Sequence, residues 1–179
     1  GGDTNLYSLF VERAHKLVKS TGMVGLLVPS GIAADLGAAP FFKTLSGTGR
    51  LAALLDFENR RGAGRAHFFP DVDSRFKFAA LIAGAAERKF EAAECGFFLT
   101  DTEDAAIAEN SFPMKAADFL AVNPNTGTAP IFRSRRDAIL TTAIYGRVPV
   151  LVDHRTRPPK SSWPAKYTTM FHMTNDSGL

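Results

Sequence analysis

The sequence is short of the residues that build several common kinds of site. It has a single cysteine, Cys95, which excludes an internal disulfide framework and any cysteine-rich zinc site and suits a reducing compartment. Its four histidines, His15, His67, His154 and His172, are scattered. None has metal-ligand spacing to another His, Cys or carboxylate. No apolar run approaches the length of a membrane span, and no leader with an apolar core opens the chain, so a soluble, cytoplasmic protein is expected. There is no Walker loop, and Gly47-Thr48-Gly49 and Gly62-Ala63-Gly64 lack the strand–loop–helix spacing of a dinucleotide fingerprint. Ser30, in Val28-Pro29-Ser30-Gly31, has no glycine two residues before it. A nucleophile elbow is therefore incomplete, and a hydrolase centred on Ser30 would need a histidine brought to it by the fold. Internal repeats and low-complexity tracts are also absent.

What is present suits a globular chain. At 179 residues, 45% of them hydrophobic, it can bury a core of one domain, or one and a half. The formal net charge of +3 is small, but its distribution is uneven. Residues 1–59 nearly balance, whereas 60–89 and 133–160 are basic. Each basic window is either a phosphate-binding surface or, more plainly, a solvated face.

Periodicity predicts a first helix with Leu6, Leu9, Phe10, Arg13, Ala14, Leu17 and Val18 mostly on one face. Asp3 or Thr4 is its expected N-cap, and Gly22 sits where a C-cap glycine belongs. Residues 23–29 form an uninterrupted apolar run that predicts a strand buried on both faces. A short helix over 40–46 with Pro40 in its first turn and a second apolar strand over 51–57 follow. This alternation is that of a doubly wound α/β sheet. A third strand is expected over 76–83, and one more, broken at Gly96, over 90–100. Beyond Thr100 acid, alanine and turn residues dominate. Asn123-Pro124-Asn125-Thr126 has two positions of an amino-methyltransferase tetrad but no aromatic ring to stack on a base, so it reads as a tight turn. Ser134-Arg135-Arg136-Asp137 has capping-box spacing and predicts a helix to about Tyr145, stopped by Gly146.

The stretch that adds up to chemistry is the loop over 60–77. It is long, basic, glycine-containing and aromatic, a composition that suits function more than mere connection. A base cannot be modified inside a duplex, so it is swung out into a pocket with an aromatic face and flanking cations. Phe68 and Phe69, with Arg60, Arg61, Arg65, Arg75 and Lys77, supply both. On composition alone the plainer reading, in which the two rings plug the core and the cations are merely solvated, is the better supported.

A resemblance shifts that balance. Thr4-Asn5-Leu6-Tyr7-Ser8-Leu9-Phe10-Val11-Glu12-Arg13-Ala14, followed by Gly22-Met23-Val24-Gly25-Leu26-Leu27-Val28-Pro29-Ser30, resembles the segment just after the catalytic tetrad in gamma-type DNA adenine methyltransferases. These include the methylase part of type IIG restriction–modification enzymes. There the segment forms a helix and the fifth strand. Leu54-Leu55-Asp56-Phe57-Glu58-Asn59 resembles the sixth strand. Phe69-Pro70 ahead of the apolar residues 76–83 resembles the Phe-Pro pair that precedes a seventh, antiparallel strand. Asn123 to Arg136 and Met170-Phe171-His172-Met173-Thr174-Asn175-Asp176-Ser177 resemble blocks in or near the region leading to target recognition.

The resemblance implies an α/β fold: a partial doubly wound, Rossmann-like methyltransferase sheet of strands five to seven with an antiparallel seventh strand, then an irregular α+β segment. Residues 1–102 would be the C-terminal half of the catalytic domain, and 103–179 a connector and the beginning of the target-recognition region. It implies that Phe69 stacks on the flipped adenine. Phe68 remains a rival because the spacer to the strand is a little longer here. Arg61, Arg65, Arg75 and Lys77, and more weakly Arg133, Arg135 and Arg136, would bind DNA phosphates. The parent enzyme would transfer a methyl group from S-adenosylmethionine to the adenine amino group. Its cofactor loop, acid and tetrad precede Gly1 in family order, so the chain alone is expected to be inactive and to bind no cofactor. Expected partners are double-stranded DNA, the missing N-terminal half and, through the bare strand edge from Met23 to Val28 (residues 23–28), a second copy. A non-catalytic nucleic-acid-binding module and a remnant of a decayed methylase are the alternatives.

Overall fold

The computed structural model describes residues 5–62, 64–165 and 170. The expected caps Asp3 and Thr4, and the block from Met170 to Ser177 apart from Met170 itself, lie outside the described residues. The chain is a mixed α/β protein. Its sheet has five strands in the order β1-β3-β2-β4-β5, where β1 is Met23–Pro29, β2 Leu51–Glu58, β3 Lys77–Gly84, β4 Ala93–Leu99 and β5 Ser111–Met114. Five α-helices accompany it: α1 (Leu6–Leu17), α2 (Gly31–Ala34), α3 (Ala39–Gly47), α4 (Ala116–Val122) and α5 (Arg135–Tyr145).

β3 is inserted between β1 and β2 and runs antiparallel to both. β1 and β2 therefore run the same way, and β4 pairs parallel to β2. β1, β2 and β4 end on one rim of the sheet, where loops gather in open α/β sheets. The half-sheet of three expected strands is correspondingly larger, because β4 is unbroken and β5 pairs antiparallel with it. β5 is too short to show alternation, and Pro113 suits an edge position.

One side of the sheet is packed with helices. Val28, Leu54, Ala79, Leu81 and Cys95 meet Val11 of α1, Ile32 of α2, Phe42 and Leu45 of α3 and Phe119 of α4 in one core. Burying large apolar side chains such as Phe42 and Phe119 stabilises the fold by about 1.5–3 kcal/mol each. The same core continues past residue 102 through Phe112, Met114, Phe132 and Ala138. Cys95 lies within it, and burial pushes its thiol up, which keeps it protonated and inert.

The other side of the sheet differs from the sequence expectation. β1 is not buried on both faces: Val24 and Val28 are buried, whereas Met23, Gly25 and Leu27 are exposed, Leu27 by 64%. It is also an edge strand, as expected. α1 shows a similar difference. It packs through Val11, through the Tyr7 hydroxyl on Asp35 (3.2 Å) and through the edge of His15 against Phe41. The stripe read as its buried face, Leu6, Leu9, Phe10 and Leu17, is exposed. α1 also ends before Gly22, which closes the following turn by donating to the Lys19 carbonyl.

The remaining local expectations hold with small shifts. Pro40 sits in the first turn of α3. The N-cap of α5 is Ser134, whose Oγ accepts from the Asp137 amide, and Gly146 follows Tyr145. Asn123 to Gly127 is a turn, with Gly127 at φ 65° donating to the Asn123 carbonyl. Asn125 is bonded to the backbone of Val152 and His154, a structural use of its amide. Among the described residues no helix is long and apolar enough to cross a membrane.

Candidate functional site

The loop between β2 and β3 is organised from below by Asn59. This side chain is 1% exposed and spends its whole amide on the loop. Its Nδ2 donates to the carbonyls of Phe69 (3.0 Å) and Val72 (2.9 Å), and its Oδ1 accepts from the Phe69 amide (2.8 Å). The Asn59 backbone adds a bond from the Phe68 amide and one to the Phe76 carbonyl. A buried amide with all its groups matched fixes a loop far better than contacts among exposed side chains.

This scaffold gives the two phenylalanines different environments. Phe68 is half-buried, its ring edge-on to Phe57 and Phe78. Phe69 is 42% exposed and, among the rings of the described residues, pairs with Phe78 in a T-shaped contact at 5.0 Å between centroids. Of the two, Phe69 is the ring with area free for another flat molecule. It lines a largely apolar cleft of about 270 Å³ with Pro29, Asn59, Val72, Phe76 and Lys77 at the rim where β1 and β2 end. A second apolar hollow of about 380 Å³ runs from Phe69 over Leu27, Leu55, Phe57 and Ala80.

The expected cations are not all gathered, and most face carboxylates of their own chain. Arg61 (2.7 Å) and Arg65 both reach Oδ2 of Asp101, and Arg61 also lies over the Phe68 ring at 4.9 Å. Arg75 is highly exposed and forms a two-point contact with Asp73. Lys77 stands 3.8 Å from Glu58 and 4.0 Å from Asp56. Arg133 lies over the ring of Phe98. Arg135 lines a separate groove with Phe112, Asp118 and Ile139, and Arg136 is exposed on α5. The fold thus joins Arg61 to Arg65, Lys77 to Arg133 through Phe98, and Arg75 to Lys77 and Arg60 around a small cavity of about 170 Å³, and leaves Arg135 and Arg136 apart.

Sequence reasoning passed over Asp56, Asn59 and Phe98. Asp56, buried near the end of β2, accepts the Ser30 hydroxyl. Burial pushes its carboxyl above the usual range, Ser30 and then Lys77 pull it back, and Glu58 pushes it further up. Ser30 donates its hydroxyl to this carboxylate, and no histidine bonds to it among the described residues. Asn59 and Asp56 were visible only as polar residues ending an apolar strand. Phe98 left no signal, because its importance lies in a backbone angle. Among the described residues no three His, Cys, Asp or Glu side chains gather as a metal site. No protein-family model matches the chain, and no curated protein matches it.

Proposed function

We propose that the chain is the base-holding and DNA-gripping part of a site-specific DNA adenine methyltransferase of a restriction–modification system. The observation that carries this reading is one of geometry. A strand lies antiparallel between two parallel strands, and an exposed phenylalanine, Phe69, is presented just ahead of it at their ends. In the family that the sequence resembles, a Phe-Pro pair stands ahead of a seventh, antiparallel strand. On this reading Phe69 stacks on the extruded adenine, and cations of the 60–77 loop meet flanking phosphates. The uncovered stripe of α1 and the bare β1 edge support a further part of the enzyme packing there. That part would bring S-adenosylmethionine and the tetrad, and the methyl transfer would take place on it.

The test is Phe69→Ala in the enzyme assembled with its catalytic half. A fluorescent base analogue at the target position should lose most of its flipping signal, and binding to DNA with a destabilised target should weaken by about 1–3 kcal/mol. Unchanged flipping removes Phe69 from the site. The chain alone should not take up S-adenosylmethionine, and tight binding in calorimetry would overturn that part of the reading.

One observation favours an alternative, a non-catalytic module or the remnant of a decayed methylase. Arg61, Arg65 and Arg75 are already occupied by carboxylates of the chain, which weakens their claim on phosphate. Salt-dependent duplex affinity separates a nucleic-acid-binding module from a remnant that has lost it.

A further inference from the structure

We propose that Lys77 and Arg133, gathered on the ring of Phe98, form a binding site for a phosphate group of nucleic acid, with Phe98 as the residue that positions them. The proposal rests on the nucleic-acid reading above and adds to it a defined contact.

The backbone of Phe98 is the first clue. Its φ is 59°, and it is the one non-glycine residue with positive φ among the described residues. Leu55 stands opposite Gly96, and Phe57 opposite Leu99. β4 therefore carries an extra residue at this point, a bulge. A left-handed bulge position ordinarily takes glycine, and a bulky side chain there is an outlier that the surroundings must hold in place. The half-buried ring is placed where Lys77 Nζ stands 4.1 Å and the Arg133 guanidinium carbon 4.4 Å from its centroid. Lys77 opens β3 and Arg133 precedes α5, so no local feature of the chain would otherwise bring these two together.

The charge balance is the second clue. Lys77 is partly neutralised by Asp56 and Glu58, but Arg133 has no ion pair among the described residues. An anion beside the ring would pair with Arg133, the cation without a carboxylate of its own. A guanidinium offers two parallel donors that match a phosphate, and an ammonium adds a point charge. The ring holds both heads without competing for their N–H groups in the way that a carboxylate does. Arg61, Arg65 and Arg75 each face such a carboxylate. Because Arg133 faces none, the pair on Phe98 is the better-prepared phosphate contact at this rim of the sheet.

The full chain can be titrated with inorganic pyrophosphate while the Arg133 side-chain and Phe98 ring resonances are followed by NMR. A labelled short duplex can be titrated in parallel over rising salt. Phe98→Gly suits the backbone angle and removes the ring, Phe98→Tyr keeps the ring, and Arg133→Ala removes one cation. We expect pyrophosphate to shift both resonances in the parent chain and in Phe98→Tyr, and Phe98→Gly to lose the Arg133 shift. Phe98→Gly and Arg133→Ala should each lower the slope of log affinity against log salt by about 0.9, one phosphate contact. If Phe98→Gly does not fold by circular dichroism, Arg133→Ala decides alone. Pyrophosphate shifts without duplex binding would uphold the phosphate site and sink the nucleic-acid reading. Duplex binding with neither resonance moved by pyrophosphate and both slopes unchanged would sink the site and leave that reading standing.

Discussion

Replacing Asn59 with alanine removes the three side-chain hydrogen bonds that hold the Phe69 loop, at 3.0, 2.9 and 2.8 Å. A net value of about 1 kcal/mol for each gives a loss of about 3 kcal/mol. Phe69 is partly exposed, so water can reach some of the groups left behind, and about 2 kcal/mol is the lower end. Against a total stability on the order of 5–15 kcal/mol this is large but leaves the chain folded. Urea denaturation gives the loss directly. Amide exchange separates the local effect from the global one: the Phe69 and Phe68 amides should lose protection while those of β3 keep theirs beyond the global change. Asn59→Asp retains the acceptor for the Phe69 amide but turns a carboxylate toward the two carbonyls that Nδ2 served, so at neutral pH it should destabilise at least as much. A loss below about 0.5 kcal/mol for Asn59→Ala, with the Phe69 amide still protected, would refute the claim that this side chain positions the loop.

Two further outcomes follow from buried charge and from the open edge. The raised Asp56 carboxyl makes a contribution to stability that is full below the usual carboxylate range and is lost as pH rises through its folded-state value. Asp56→Asn still offers Ser30 an acceptor and does not titrate, so its stability relative to the parent should improve as pH rises from acid to neutral. A difference that stays constant across urea midpoints in that range would contradict this assignment. Leu27→Lys puts a charge on the exposed face of β1 and should reduce concentration-dependent self-association in sedimentation, with stability changed by no more than about 0.5 kcal/mol. A parent chain that sediments strictly as a monomer at every concentration would count against association through this strand.

The first three strands and the last helix were legible because their signals are local, whereas the short β5 was not expected. Uninterrupted apolar runs mark β1, β2 and β3, and Ser134 and Gly146 bracket α5. The covered face of α1 was not legible. Its residues are apolar on more than one side, and only its docking on β1 and the neighbouring core decides that Val11 turns inward while Leu6 and Phe10 do not. For the site, the loop composition pointed to Phe68 and Phe69, but only packing against Phe57 and Phe78 distinguishes the half-buried ring from the open one. Cation positions were least legible. Arg61 and Asp101 are forty residues apart, and nothing in either neighbourhood announces that they meet.

The insertion of β3 between β1 and β2 also constrains how the sheet assembles. Among the described strands β1 comes first in the chain, and its partner there, β3, begins only at Lys77. β2 and β3 are consecutive and joined by one loop, so they close at an entropy cost lower by about 1 kcal/mol. The hairpin-like β2–β3 unit, with the Phe69 loop as its connection, can therefore pair before β1 does, and β1 then joins an edge that already exists. Lengthening the 60–76 loop should slow the first step of folding, while changes in β1 should register mainly in the rate of unfolding.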